Sequence, residues 1–302
     1  MTHAYYYCNN MIGSPVCGPN VTKFSGAYSS CAKLTGDPVC GDKVTDMRGT
    51  YSRCSGLTGS PVCGPNVTSM RGTYQFCSNL TGDPACGENV TEMGEAYWGC
   101  ENLTGPAVCG DKVTNMWGAY AGCTNISAAA CGPNVVSFTQ PFSSCKNIKE
   151  AVCGPKVEYM TWSYKGCSNL VKAVCGPEVV TMNETYYHCV NLPEAVCGSL
   201  VYEMNRTYGD CDNLILAACG ENVIIMNNTY NNCSSLQNAV CGNKVREMDH
   251  TYVNCTSLIR AACSDSVVNM NNTYLNCSSL AIAMCGNNVK TMNRTYQGCA
   301  NL

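Results

Sequence analysis

Apolar residues recur along this chain at a fixed interval, and polar residues fill the positions between them. One interval carries Val157, Met160, Tyr164 and Cys167, and these spacings return every 23 residues up to Cys123 and every 22 residues afterwards. A stack of coils requires such a pattern, because each coil buries its apolar edge only against the coils above and below it. The sequence therefore predicts a solenoid in which one repeat makes one coil.

Each repeat predicts a short strand followed by a return, the segment that leads the chain back to the next strand. In "NLVKAVCGPEVV", Leu170, Ala173 and Cys175 have the alternation that turns strand residues toward a core. The next stretch, with the spacing V-x-x-M-x-x-x-Y-x-x-C, fits one or two turns of helix or a tight 3₁₀-like return. In the 23-residue repeats the strand opens with "LTGDPVCG", whose Gly and Pro predict a bulged or kinked entry.

The complete frame, C-x-x-L-x-x-A-x-C-G-x-x-V-x-x-M-x-x-T-Y-x-x-C, resembles the BspA-type leucine-rich repeat over the whole chain. The resemblance implies a repeat solenoid: a right-handed α/β horseshoe or near-straight coil with one parallel β-sheet face and short helical or 3₁₀ returns. That family occurs on bacterial and protist surface proteins, often as adhesive modules, and in phage-encoded proteins, and it shares no catalytic site. Two departures are the strand cysteine, where the family prefers Ile or Leu, and the "TGxPVCG" entry.

The repeat predicts one elongated array over residues 1–302, with 23-residue coils over 1–123 and 22-residue coils over 124–302. Length alone would also allow two domains. Neither end carries the polar cap that a solenoid needs. We therefore expect a segment of a longer chain, or ends that neighbouring molecules cover.

All 27 cysteines fall into two columns of the repeat, and both columns are predicted to face the core. One interpretation is a disulfide ladder, because coils about 4.8 Å apart bring equivalent cysteines within bonding reach. The other is that cysteine serves as a small buried apolar residue. Pairwise bridging would favour a doubled period, which the sequence lacks, so we favour free thiols.

Composition and spacing argue against several kinds of site. Nearest cysteines are eight residues apart, and His3, His188 and His250 share no column with a second ligand, so we expect no metal or cofactor. A net charge of −3, with 13% charged residues, leaves no footprint for nucleic acid. The apolar runs are too short for membrane insertion, and no signal segment is visible. No cluster of reactive residues interrupts the repeat, so we expect no enzyme.

An apolar column between the strand Ala and Cys is predicted to face outward and to form a contact stripe. The alternative is that β-branched residues simply suit strands. The column consists of Val152, Val174, Val196, Ala218, Val240, Ala262 and Met284.

A second candidate edge carries N-x-T sequons, which are glycan acceptors in a secreted eukaryotic protein. The alternative is that Asn and Thr are good loop residues, multiplied by duplication. The edge consists of Asn183, Asn205, Asn227, Asn271 and Asn293.

These features predict a non-enzymatic structural protein of an extracellular, cell-surface or virion setting. It would form fibres through lateral or end-to-end contacts with itself or with other protein chains. The alternative is an adhesin or receptor-binding module, bacterial or phage, that recognises a host protein or glycan. Trp98, Trp117 and Trp162, which crowd the middle repeats, are candidates for such a binding patch.

Overall fold

The computed structural model describes residues 1–217 and 219–302, with the side chains of residues 239 and 240 outside that description. The chain forms two compact units, Met1–Ile148 and Lys149–Leu302, called here the first and the second unit. Each unit is a stack of coils, joined by backbone hydrogen bonds between residues 22 or 23 positions apart. The predicted solenoid of one repeat per coil is confirmed within each unit. That both units form one array stays a prediction.

Three strands lie in the second unit: β1 (Asn238–Val240), β2 (Arg260–Ala262) and β3 (Ile282–Met284). They form a parallel sheet in the order β1-β2-β3, in which Ala261 pairs with Ala239 and Ala283. Ala261 is buried, and both of its neighbours in β2 are exposed. The short parallel strand predicted before each strand cysteine is therefore confirmed here.

The 23-residue coils do not form this sheet. Among the residues described in the first unit no strand is assigned, and at the "LTG" entry single backbone bonds join neighbouring coils, such as Thr58 N–H to Gly36 O at 3.4 Å. Proline supplies no N–H, and the extra residue shifts the pleat, so a continuous ladder is interrupted. Neighbouring coils of the first unit instead pair through the residue before each methionine. There Asp46, Ser69 and Glu92 form successive parallel bridges.

The returns are hydrogen-bonded turns, and the described residues contain no helix of any kind. Alternate residues bond to different partners: the Tyr51 N–H donates to Thr73 O of the next coil at 2.9 Å, while the Thr50 N–H donates to Met47 O of its own coil at 3.0 Å. Gly49 and Arg53 have φ values of 60° and 62°, and every return repeats this pair of left-handed positions. A right-handed helix cannot pass through such residues. The returns are therefore turns, and not the helical or 3₁₀ segments that the spacing predicted.

The core is built from the fixed columns of the repeat. Val67, Met70, Tyr74, Cys77 and Leu80 are all fully buried, as are their equivalents in most other coils. The tyrosine rings stack along each unit; for example, the Tyr51 and Tyr74 centroids lie 5.6 Å apart at 9°, within the favourable range for aromatic pairs.

Most polar atoms of the core are satisfied within it, although the buried Tyr274 hydroxyl has no hydrogen-bond partner among the described residues. The Tyr74 hydroxyl donates to Val62 O at 2.8 Å and accepts the Val62 N–H at 3.0 Å, which ties the return of a coil to its strand side. Thr73 Oγ1 lies 2.8 Å from both Met47 O and Met70 O, and the Cys77 thiol donates to Tyr51 O at 2.9 Å. Buried polar groups need such partners, and these ones also join neighbouring coils.

Candidate functional site

The predicted contact stripe lies in the second unit. Val152, Val174 and Met284 are exposed by 37%, 41% and 61%, and Ala262 is exposed as well. Val196 is half-buried, so the stripe is less exposed there than predicted. Ala218 and the side chain of Val240 lie outside the described residues.

Buried tyrosines hold the backbone of this stripe from below. The Val152 and Val196 N–H groups donate to the hydroxyls of Tyr164 and Tyr208 at 2.8 Å, and the Tyr186 hydroxyl donates to Val174 O at 3.1 Å. These bonds fix the backbone of the stripe to the core. The arrangement presents small apolar side chains on a rigid support, which suits a contact more than a reaction.

The candidate glycan edge is a ladder of asparagine side chains. Asn183 Oδ1 accepts the Asn205 N–H at 2.9 Å, and Asn205 Oδ1 accepts the Asn227 N–H at 3.0 Å. Asp249 takes the next place and accepts the Asn271 N–H at 2.7 Å, and Asn271 Oδ1 accepts the Asn293 N–H at 2.9 Å. Each side chain thus satisfies a backbone donor of the following coil.

The threonines of these sequons have a structural role of their own. Thr185 and Thr207 are fully buried, and their hydroxyls donate to Met160 O and Met182 O of the preceding coil at 2.7 Å. The threonine of each of these two N-x-T sequences is therefore explained by coil-to-coil bonding. Whether these asparagines carry glycans stays a prediction.

We expect Asn183→Ala to lower the free energy of unfolding by about 1 kcal/mol, because the Asn205 N–H loses its acceptor. Asn183→Asp is the matched variant: it keeps an acceptor oxygen, as Asp249 does in the same column, and it also removes the sequon. Denaturant unfolding of both variants measures the difference. Equal losses would show that the ladder does not stabilise the fold.

The tryptophans divide between the two units. In the first unit, Trp98 lies edge-on to Trp117 at 6.1 Å and tilted to Phe76 at 6.3 Å. In the second unit, Trp162 is 40% exposed, and the Lys165 ammonium lies 5.9 Å from its ring centre. The structure thus brings two of the three predicted residues together.

Sequence reasoning missed the glycines beneath this aromatic cluster. A Cβ at Gly99 would lie 2.7 Å from the Phe76 ring, and one at Gly118 would lie 3.1 Å from the Trp98 ring. Each ring therefore rests on the bare backbone of the following coil. Only Gly99 gave a signal, because it stands one repeat after Phe76, and glycine is common throughout the chain.

The two cysteine columns differ in burial. Cys54 and its equivalents are buried, except Cys8 and Cys299, whereas Cys63 and its equivalents are half-buried at the short strand side, except Cys285, which is exposed. The described residues contain no disulfide. Burial raises the pKa of Cys54 and of Cys63 to about 12, so both thiols are protonated at neutral pH. Thiols of this kind are poor nucleophiles and poor metal ligands.

The described residues hold neither a metal-type cluster nor a membrane-spanning helix. No three His, Cys, Asp or Glu side chains of residues 1–217 and 219–302 come together as a metal site. Over the same residues, no helix has the length and apolar character needed to cross a bilayer.

Comparison with known proteins identifies the repeat. The family model described as "BspA type Leucine rich repeat region" matches residues 95–215 and 205–302, with six copies. No curated protein is detectably similar in sequence.

One of two similar solved structures shows the likeness in fold. A leucine-rich repeat protein from Bacteroides ovatus is 17% identical, with a TM-score of 0.72 over 100% of this chain and 80% of that one. A leucine-rich cell surface protein from Faecalibacterium prausnitzii is 16% identical, with a TM-score of 0.47 over 88% of this chain and 76% of that one. At these identities the likeness concerns the fold alone.

Proposed function

The chain belongs to the BspA-type leucine-rich repeat family, and on this premise we propose that it is a non-enzymatic, surface-exposed structural repeat protein. It acts through lateral or end-to-end contacts with copies of itself or with other protein chains, and these contacts build fibres. The setting is extracellular, on a cell surface or on a virion.

The exposed valines of the stripe carry this proposal. Val152 and Val174 project from neighbouring coils of the second unit, and the backbone of each is bonded to a buried tyrosine hydroxyl. Ordered apolar side chains that face solvent in a row favour burial against a partner, at roughly 25 cal/mol for each Å² covered. A rigid stripe also loses little conformational entropy when it binds.

The reactive side chains support a non-enzymatic role. Burial raises the pKa of Cys175 to about 11 and raises that of Tyr186 well above its usual range. Both groups are therefore held protonated inside the coils at neutral pH. A general base or nucleophile needs a pKa near the working pH and access to substrate, and these groups have neither.

A second candidate function is adhesion, which the aromatic cluster of the first unit favours. Phe76 and Trp98 rest on glycines of the following coils, and Trp117 extends the cluster by one repeat. Aromatic residues dominate the energy of many protein contacts, and they also stack on sugar rings. The partner would be a host protein or a glycan.

The stripe is tested by Val174→Lys, with Val171→Lys as the matched control. Val171 lies in the same coil and is 50% exposed, but it is outside the stripe column. A charge in the stripe must lose water when it is covered, so we expect Val174→Lys to abolish concentration-dependent association and Val171→Lys to leave it unchanged. Sedimentation and negative-stain images over a range of concentrations give the readout.

The same experiment separates the two candidate functions. Filaments that form in the natural chain and disappear only in Val174→Lys support the structural role. A stable monomer at every concentration contradicts it. If that monomer captures a protein or glycan and loses it on Trp98→Ala, the adhesin function is supported instead.

A further inference from the structure

A groove of about 650 Å³ runs over the second unit, apart from the contact stripe. It lies above a column of buried valines that includes Val245 and Val267. The residues directly before and after these valines in sequence line its walls. Ile224 and Val268 supply its apolar lining, and Lys244, Arg246 and Lys290 supply its charge.

The three cations of this groove have no carboxylate partner. The ion pairs found among the described residues involve none of them, and all three side chains are exposed. Lys244 Nζ donates to the neutral Asn222 Oδ1 at 2.6 Å. The groove is therefore a positive site on a chain whose net charge is −3.

The nearest acidic groups have other partners. Asp265 lines the groove, but its Oδ1 accepts the backbone N–H of Asn287 at 2.8 Å and the Asn287 side-chain amide at 3.0 Å. Glu247, which follows Arg246 in sequence, is half-buried and accepts from Asn227 Nδ2 at 3.4 Å. Three cations against the single lining carboxylate leave the groove with a net positive charge that is available to a ligand.

The spacing of the cations sets the form of that ligand. Arg246 and Lys290 occupy equivalent positions two coils apart, which is about 10 Å at about 4.8 Å per coil. Side chains that extend straight outward from these positions hold their charges about 10 Å apart, too far for one small anion to bond both at about 3 Å each. The ligand must carry at least two anionic groups along a chain, with an apolar part between them to meet Val268.

The backbone of this row offers no further pairing. The N–H groups of Ile224, Arg246, Val268 and Lys290 all donate to the preceding coil, at 2.8 to 2.9 Å. A ligand is consequently recognised by side chains and not by strand addition. A segment in the extended polyproline II conformation advances about 9 Å in three residues and returns every third side chain to the same face, so carboxylates three residues apart match Arg246 and Lys290.

From this charge complementarity we infer that the groove binds an extended acidic segment of a partner protein, with carboxylates about three residues apart and apolar side chains between them. The long-range attraction of the cations speeds the encounter, and Ile224 and Val268 supply apolar contact once the segment is bound. This surface is separate from the stripe, so the inference does not depend on the proposed fibre contacts.

The test uses the full chain and a fluorescein-labelled peptide of three Glu-Leu-Ser repeats, followed by fluorescence anisotropy at low salt. We expect Lys244→Glu to weaken binding about tenfold, and Arg246→Glu with Lys290→Glu to weaken it further. Lys112→Glu is the matched control, because Lys112 occupies the same column in the first unit and donates to Asn89 Oδ1 at 2.7 Å. That variant should bind the peptide as the natural chain does.

Several results would overturn the inference. One is no binding of the peptide, and another is an equal loss in Lys244→Glu and Lys112→Glu, which would indicate only the general charge of the chain. Ile224→Asn should also weaken binding, and an unchanged affinity would contradict the apolar contact. If a sulfated oligosaccharide binds through Lys244 while the peptide does not, the ligand is an acidic glycan and the peptide assignment is wrong.

Discussion

Raising the pH above about 9 is expected to unfold this protein in a steep transition. Burial raises the pKa of Cys54 and Cys277 to about 12, and it raises the pKa values of Cys77 and Cys100 well above the usual range. The unfolded chain releases these protons near pH 9, while the folded chain keeps them. The unfolded state therefore gains stability as pH rises, and the folded state is fully favoured only below that range.

The expected size follows from the number of such thiols. Each proton that only the folded state retains lowers the free energy of unfolding by about 1.4 kcal/mol for each pH unit. The four thiols named above would together remove about 6 kcal/mol in one pH unit, comparable with the whole stability of an ordinary domain.

Circular dichroism across pH 7 to 11, in the presence of a reductant, gives the transition. Refolding on return to pH 7 would exclude chemical damage as the cause. A folded state that persists unchanged to about pH 11 would contradict the account, because thiols in contact with water ionise without such a cost.

Removal of one ring from the tyrosine stack is the second large effect. We expect Tyr74→Ala to lower the free energy of unfolding by about 3–5 kcal/mol, since it leaves a cavity between Tyr51 and Tyr97 and frees the Val62 backbone. Tyr74→Phe keeps the ring but leaves Val62 O and N–H without their partner, and we expect a loss of about 1–3 kcal/mol.

Tyr202→Ala is the control for this pair, because Tyr202 is 41% exposed and lies outside the stack. We expect that variant to change stability by less than about 0.5 kcal/mol. Phe142 occupies the stack position of one coil in the natural chain, which shows that the ring can fit without a hydroxyl. Denaturant unfolding that gives equal losses for Tyr74→Phe and Tyr74→Ala would contradict the separate role of the hydroxyl.

The fixed columns of the sequence were sufficient to predict the core. Val67, Met70 and Tyr74 recur at constant spacings because each must meet its copies in the coils above and below, and all three are fully buried. The strands before Cys241, Cys263 and Cys285 were also predictable from apolar alternation, which the buried Ala261 shows between exposed neighbours.

The turns of the returns could not be predicted, because they are set by backbone φ values that the residue types do not reveal. A three-four-three spacing of apolar residues suits a helix and a stacked turn equally well. Arg53 and Phe76 have positive φ values of 62° and 59°, yet neither residue type favours that region, so the positions could not be read from residue type. The contacts with the next coil hold them there.

The surface features depended on pairs of distant residues. Asn183 bonds to the Asn205 backbone, 22 residues away, so a motif read along the chain suggested glycan acceptors and missed the ladder. Arg246 and Lys290 carry no signal of their own along the chain, because only the stacking of coils places them in one groove.

The measurement that tests the account most directly is intact mass after alkylation of the unfolded chain, with and without prior reduction. A stack of coils held by buried free thiols predicts 27 alkyl groups in both samples. Fewer groups in the unreduced sample, restored by reduction, would show disulfides between coils and would contradict the thiol core.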